Sequence, residues 1–115
     1  MKLLVIVNHN PYDGSDVVFN ALRLVSQSQS AGLAVQLFLL GDGVTLVRKG
    51  AGLGAPIDLE GMLAELAARK TPMKLCKTCM ERRKIAPAEI REAVAIATMP
   101  DLVEWITQAD RVVTF

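Results

Sequence analysis

The chain of 115 residues lacks an excess of either charge: 13 lysines and arginines against 12 aspartates and glutamates leave a net +1. Proteins built for nucleic acid or for a charged membrane surface carry a strong basic excess, so neither partner is expected here. No apolar run approaches the ~20 residues that a membrane-spanning helix needs. No G-x-x-x-x-G-K-[ST] occurs, which excludes a P-loop. Internal repeats and low-complexity segments are also missing. The chain has only two cysteines and one histidine, so a structural zinc site would have to be completed by carboxylates or by a second subunit. Neither a metal nor a cofactor is expected.

What is present is apolar. Half of the residues (51%) are hydrophobic, in a chain sized for one domain, expected over residues 1–115, with one core. So small a domain exposes much of what it carries, and a second subunit is expected to cover part of it. The opening M-K-L-L-V-I-V-N-H-N reads as a buried strand rather than a signal peptide, because polar residues follow at once and no small-residue cleavage site comes after. A cytoplasmic protein is expected, in which two cysteines serve as reactive or ligating thiols more readily than as a bridge.

Hydrophobic periodicity predicts strands alternating with helices. Leu3 to Val7 is a strand of the kind buried on both faces. Asn8 to Gly14 is a loop, and Ser15 or Asp16 caps a helix carrying Val17, Val18, Ala21, Leu22 and Val25 that Gly32 stops. Ala34 to Leu40 is a second strand, Gly41 to Gly43 a turn, and Val44 to Lys49 a short helix. A glycine-rich connector runs from Gly50 to Pro56, and Asp58 caps a helix with Leu59, Met62, Leu63 and Leu66 on one stripe. Met73 to Cys76 reads as a short third strand, followed by a helical piece from Thr78 to Lys84 and a turn at Pro87. Val94 to Ala97 fits a fourth strand, with helix from Glu89 to Ala97 competing. Pro100 and Asp101 open a last helix, and Arg111 to Phe115 closes as a fifth strand. The alternation predicts an α/β fold, a three-layer α/β/α sandwich with a mainly parallel five-stranded sheet. Strand order does not follow from the pattern.

Three features invite a chemical reading. Gly50, Gly52 and Gly54 lack the strand, spacing and helix of a dinucleotide fingerprint, so a loop is the better reading. His9 lies at the carboxyl edge of the first strand, where open α/β sheets place ligands, yet a lone histidine is more often packed into its loop. Cys76 and Cys79 form C-x-x-C between a strand and a helix. There, unsatisfied N–H groups favour a thiolate, and Lys77, Arg82 and Arg83 are expected to lower the thiol pKa further. Seven basic residues from Arg69 to Lys84 against Glu81 alone give that segment +6, leaving −5 for the rest. Structural zinc, a thioredoxin-like dithiol and two inert buried thiols compete with this reading.

The loop N-P-Y-D-G-S-D with its N-A-L-R-L helix, the strand ending L-F-L-L-G-D-G-V, the segment K-L-C-K-T-C-M-E-R-R-K-I and the closing M-P-D-L-V-E-W-I-T-Q-A-D-R-V-V-T-F together carry an end-to-end resemblance to the DsrE-like family of small sulfur-relay proteins. It implies a three-layer fold assembling into homo-oligomers (dimers, trimers or hexamers). It further implies a sulfurtransferase-like carrier in which Cys76 accepts sulfane sulfur as a persulfide and passes it between donor and acceptor proteins. Cys79 would assist, and Lys77, Arg82 and Arg83 would bind the anionic sulfur. A dithiol redox module, or a small-ligand-binding module without turnover, is the alternative. Lys84 departs from the family pattern, standing where many relatives have glycine.

Overall fold

Leu3 to Val7 are buried without a break, a condition a strand meets only when both faces of its sheet are covered. A computed structural model describes residues 1–115 and centres the fold on that strand. The order is β1 (Lys2–Val7), α1 (Val17–Ser30), β2 (Ala34–Leu39), α2 (Leu59–Ala68), β3 (Met73–Cys76), α3 (Lys77–Arg82), β4 (Val94–Ala97), α4 (Met99–Gln108) and β5 (Arg111–Thr114). Turns of 3-10 helix at Gly41–Val47 and Pro87–Glu89 occupy two connections. The sheet runs β4-β3-β2-β1-β5, and every pairing is parallel.

This order sets the layers. The chain steps in one direction from β1 to β4, then jumps back across the sheet to β5. Parallel crossovers are right-handed, so reversing the direction of travel moves the connecting helix to the opposite face. The front face (Leu3, Val5, Val7, Val35, Leu37, Leu39, Met73, Leu75 and Val94) packs against α1, α2, Met80 of α3 and the 3-10 turn after β2. The back face (Leu4, Ile6, Phe38, Cys76 and Ala97) is covered by Leu102 and Trp105 of α4. Trp105 meets Phe38 edge to face at 6.1 Å, an arrangement aromatic pairs favour. The three-layer sandwich is as expected, and the sheet is wholly parallel. The pattern at Val94–Ala97 resolves as strand, because those residues pair in register with Met73–Cys76.

Two local expectations change. The G-D-G stretch is not a turn ahead of a helix: the 3-10 helix begins at Gly41 and ends at Val47. A side chain at Gly43 would lie 2.2 Å from the Val7 carbonyl oxygen, so only glycine lets this turn pack onto the end of β1. Asp16 occupies the N-cap of α1 without a side-chain cap bond, and Ser15 Oγ accepts a long 3.5 Å bond from the Val17 N–H instead. Asp58 caps α2 as its sequence predicts, accepting from the Gly61 N–H at 2.9 Å.

Three helices end in the same way. The N–H groups of Leu33, Thr71 and Ile85 reach back to the carbonyls of Ser28, Leu66 and Met80, while those of Gly32, Lys70 and Lys84 bond Gln29, Ala67 and Glu81. This paired bonding is the Schellman motif, whose closing residue adopts a left-handed backbone. Gly32 does so without strain, whereas Lys70 (φ 59°) and Lys84 (φ 55°) are non-glycine residues held there. The left-handed state costs an L-residue about 1–2 kcal/mol, and glycine's greater freedom in the unfolded chain returns about 0.5–1 of that. Lys84→Gly and Lys70→Gly should each therefore raise unfolding free energy by about 0.5–1 kcal/mol. Urea titration checks this, and a lowered midpoint in both variants would refute it.

Candidate functional site

In an open parallel sheet, the crevice outside the carboxyl ends of two adjacent strands is a natural ligand position where their connections leave toward opposite faces. That condition is met between β3 and β4. From β3 the chain turns to the front face through α3, and from β4 it turns to the back through α4. Cys76 is the last residue of β3, aligned with Ala97, the last of β4. The switch crevice thus has a cysteine at its lip. At the start of α4 the Asp101 carboxylate accepts from the Thr98 N–H at 2.8 Å and the Thr98 hydroxyl at 2.9 Å. Those two bonds hold the Asp101 carboxyl below the usual carboxylate range.

Cys76 is the N-cap of α3, and its Sγ accepts from the Cys79 N–H at 3.4 Å. Its side chain turns to the back face, among Leu4, Ile6, Phe38, Ala97, Leu102 and Trp105, and is 5% exposed. Cys79 stands one turn on, half-buried, and packs against both the front and the back core. Both cysteines are free thiols.

The expected lowering of the Cys76 pKa is not found. Burial pushes this thiol up, and the neighbouring Cys79 thiol adds to the rise; N–H groups of Cys79 and Thr78 pull it down without reversing the direction. Of the cations expected to assist, Arg83 is committed elsewhere. Arg83 gives Nε and Nη2 to Asp42 Oδ1 at 3.1 and 2.7 Å, and Nη1 to the Cys79 carbonyl at 3.0 Å. It braces α3 against the 3-10 turn. Lys74 lies over the Trp105 ring at 4.5 Å, a cation–π contact. Lys77 and Arg82 are exposed on α3.

His9 sits at the same carboxyl edge, two strands away in the loop that follows β1. Its Nε2 is 2.6 Å from Asp13 Oδ2 and 3.1 Å from Ser15 Oγ. Both partners share one ring nitrogen, so this is a loop clasp and not a nucleophile–base–acid relay. The sequence reading missed Asp42, whose signal was the G-D-G-V motif, and Trp105, which closes the back face over Cys76.

The DsrE/DsrF-like family model matches residues 1–115. Protein YchN of Escherichia coli is 38% identical over 116 residues, covering 99% of this chain and 98% of YchN. An uncharacterised Methanopyrus kandleri protein is 30% identical, covering 98% of this chain and 93% of its own length. The crystal structure of the Escherichia coli ychN protein superposes with a TM-score of 0.88 over 100% of this chain and 99% of its own. A Methanobacterium thermoautotrophicum protein of unknown function, 12% identical, shares the fold at a TM-score of 0.80, over 99% of this chain and 98% of its own. The chain belongs to the DsrE/DsrF-like family.

The raised Cys76 pKa has a signed consequence. Above about pH 8.5 the unfolded thiol ionises while the native one keeps its proton. The unfolded chain then binds fewer protons, and stability falls as pH rises toward the native pKa. Between about pH 8 and 10, Cys79→Ser should lose more stability than the Cys76→Ser/Cys79→Ser double variant. In Cys79→Ser, alkylation of Cys76 by iodoacetamide should titrate above the ordinary thiol range; a midpoint at or below that range would overturn the assignment.

Proposed function

We propose that this member of the DsrE/DsrF-like family is a carrier of sulfane sulfur, holding it as a persulfide on the Cys76–Cys79 pair. One observation carries the reading: two free thiols stand together at the switch crevice, one turn apart, with the amide of one directed at the sulfur of the other. A cysteine thiolate attacks the outer sulfur of a donor persulfide, R–S–SH. A new S–S bond forms, the donor's S–S bond breaks, and R–S⁻ leaves with the bonding pair. An acceptor thiolate repeats the attack and regenerates the cysteine. The transfer exchanges one S–S bond for another, so no oxidant or reductant is consumed. Cys76 bears the persulfide in this scheme, with Cys79 assisting.

Lys77 and Arg82, exposed beside the pair, attract the anionic sulfur and an acidic partner surface. Arg83 contributes by holding α3 in place. Two free thiols suit a reducing cytoplasm, and no helix is long and apolar enough to cross a membrane. The same pair of adjacent thiols favours one second reading, a dithiol–disulfide redox module without sulfur transfer.

A homo-oligomer completes the proposal. Met99, Val103 and Ile106, at i, i+4 and i+7 on α4, are 52%, 53% and 41% exposed, and they form an outward apolar stripe beside the one that covers Cys76.

Inorganic polysulfide should add the mass of one sulfur to the wild type, removable by dithiothreitol, and nothing to Cys76→Ser/Cys79→Ser. Intact-protein mass spectrometry reads this. Loss of two hydrogens on mild oxidation, with no sulfur adduct, would replace the carrier by the redox module. Size-exclusion chromatography at micromolar concentration should give a species larger than one chain, and Val103→Asp should shift it toward the monomer. A wild-type monomer would refute assembly.

A further inference from the structure

From the burial of the two thiols we infer a division of labour within the pair: Cys79 takes sulfur from the donor, and Cys76 is the sheltered position to which it is then handed. This inference rests on the persulfide reading and adds an order to it. The thiol that the sequence marks as first in line is the one the fold encloses. Cys76 is 5% exposed and belongs to the back apolar cluster with Phe38, Ala97, Leu102 and Trp105. A macromolecular donor reaches it only after α4 or α3 has moved. Cys79 is half-buried and borders both cores. It therefore stands at the seam of the layers, at the sheet's carboxyl edge, with the exposed Lys77 and Arg82 on the same short helix.

Titration supports the same assignment. Burial keeps Cys76 protonated beyond the ordinary thiol range, and a thiol attacks a persulfide only as its thiolate. An outside donor would meet a covered and protonated sulfur there. Within the pair those obstacles shrink, because the attacking and attacked groups are held one turn apart and the step is intramolecular. The sulfur of Cys76 attacks the outer sulfur of Cys79–S–SH. The S–S bond at Cys79 breaks and a new one forms at Cys76. Cys79 leaves as thiolate and takes up the proton that Cys76 releases. Net, Cys79–S–SH and Cys76–SH become Cys79–SH and Cys76–S–SH, with atoms and charge balanced and no change in overall oxidation state. Delivery to an acceptor is the same path reversed.

What shelter gains is persistence. Persulfides in water lose sulfur to any passing thiol, and the Cys76 position admits little solvent. The amide of Cys79 already donates to the Cys76 sulfur, so the stored group keeps a polar partner in an otherwise apolar wall.

The experiment is a time course of polysulfide loading on wild type, Cys76→Ser and Cys79→Ser, with the modified cysteine located by peptide mass spectrometry. Serine is a good N-cap, so Cys76→Ser is expected to fold. The inference expects Cys76→Ser still to take up sulfur, located on Cys79, and to lose it to added glutathione faster than wild type. It expects Cys79→Ser to load at least about tenfold more slowly, at a rate limited by opening of the core. Brief N-ethylmaleimide treatment of the unmutated protein should label Cys79 ahead of Cys76, independent of any variant's folding. If Cys79→Ser loads as fast as wild type while Cys76→Ser does not load, the order is wrong and the carrier reading stands. If wild type itself takes up no sulfur, both fail.

Discussion

The right-handedness of parallel crossovers is the constraint on which the rest depends. With order β4-β3-β2-β1-β5, the return from β4 to β5 must cross the face opposite the other helices. That single rule leaves α4 alone on the back of the sheet. It also makes the β3–β4 boundary the place where neighbouring connections diverge. The site's position is thus a consequence of the path of the chain, and the cysteines occupy a position that the topology had already opened.

How much of this could be read from residues alone follows from the range of each interaction. β1 was legible because five consecutive buried side chains from Leu3 to Val7 leave no other structure compatible with their burial. Asp58 was legible because a cap acts within three residues. Strand order was not, since nothing local encodes which edge receives β5. The 3-10 turn at Gly41–Val47 was misread because its glycine answers to a distant group: Gly43 is small on account of the Val7 carbonyl. Lys84, noted as a departure from the family's glycine, has a backbone reason in its φ of 55°, which lysine tolerates at a cost and glycine would not incur.

The basic segment is the clearest case of a sequence signal that folding disperses. Seven cations between Arg69 and Lys84 look like one patch. Three of them are committed in three directions: Arg69 to Ser26 and Gln29, Lys74 to the Trp105 ring, and Arg83 to Asp42 and the Cys79 carbonyl. Arg69 precedes β3, Lys74 sits within it and Arg83 follows α3, and strand residues alternate faces. Charge density along the chain is therefore a poor guide to potential at one atom. What remains beside the thiols is Lys77 and Arg82, both in water, where screening weakens their pull on a buried sulfur.

The electrostatic balance at Cys76 follows from comparing magnitudes. Desolvation by the apolar surroundings is the largest influence on Cys76 and raises its pKa. Opposing it are two backbone N–H groups at the start of a helix of only six residues, whose aligned peptides sum to a small dipole. Those donors are sufficient to satisfy a neutral sulfur and insufficient to ionise it. The same C-x-x-C that would make a reactive thiolate at an exposed helix start here makes one covered thiol and one accessible neighbour. In this fold the apolar back face decides the chemistry: each residue that seals α4 to the sheet also moves Cys76 away from nucleophile and toward container. A carrier requires that balance, because the group that captures sulfur must meet solvent and the group that keeps it must not.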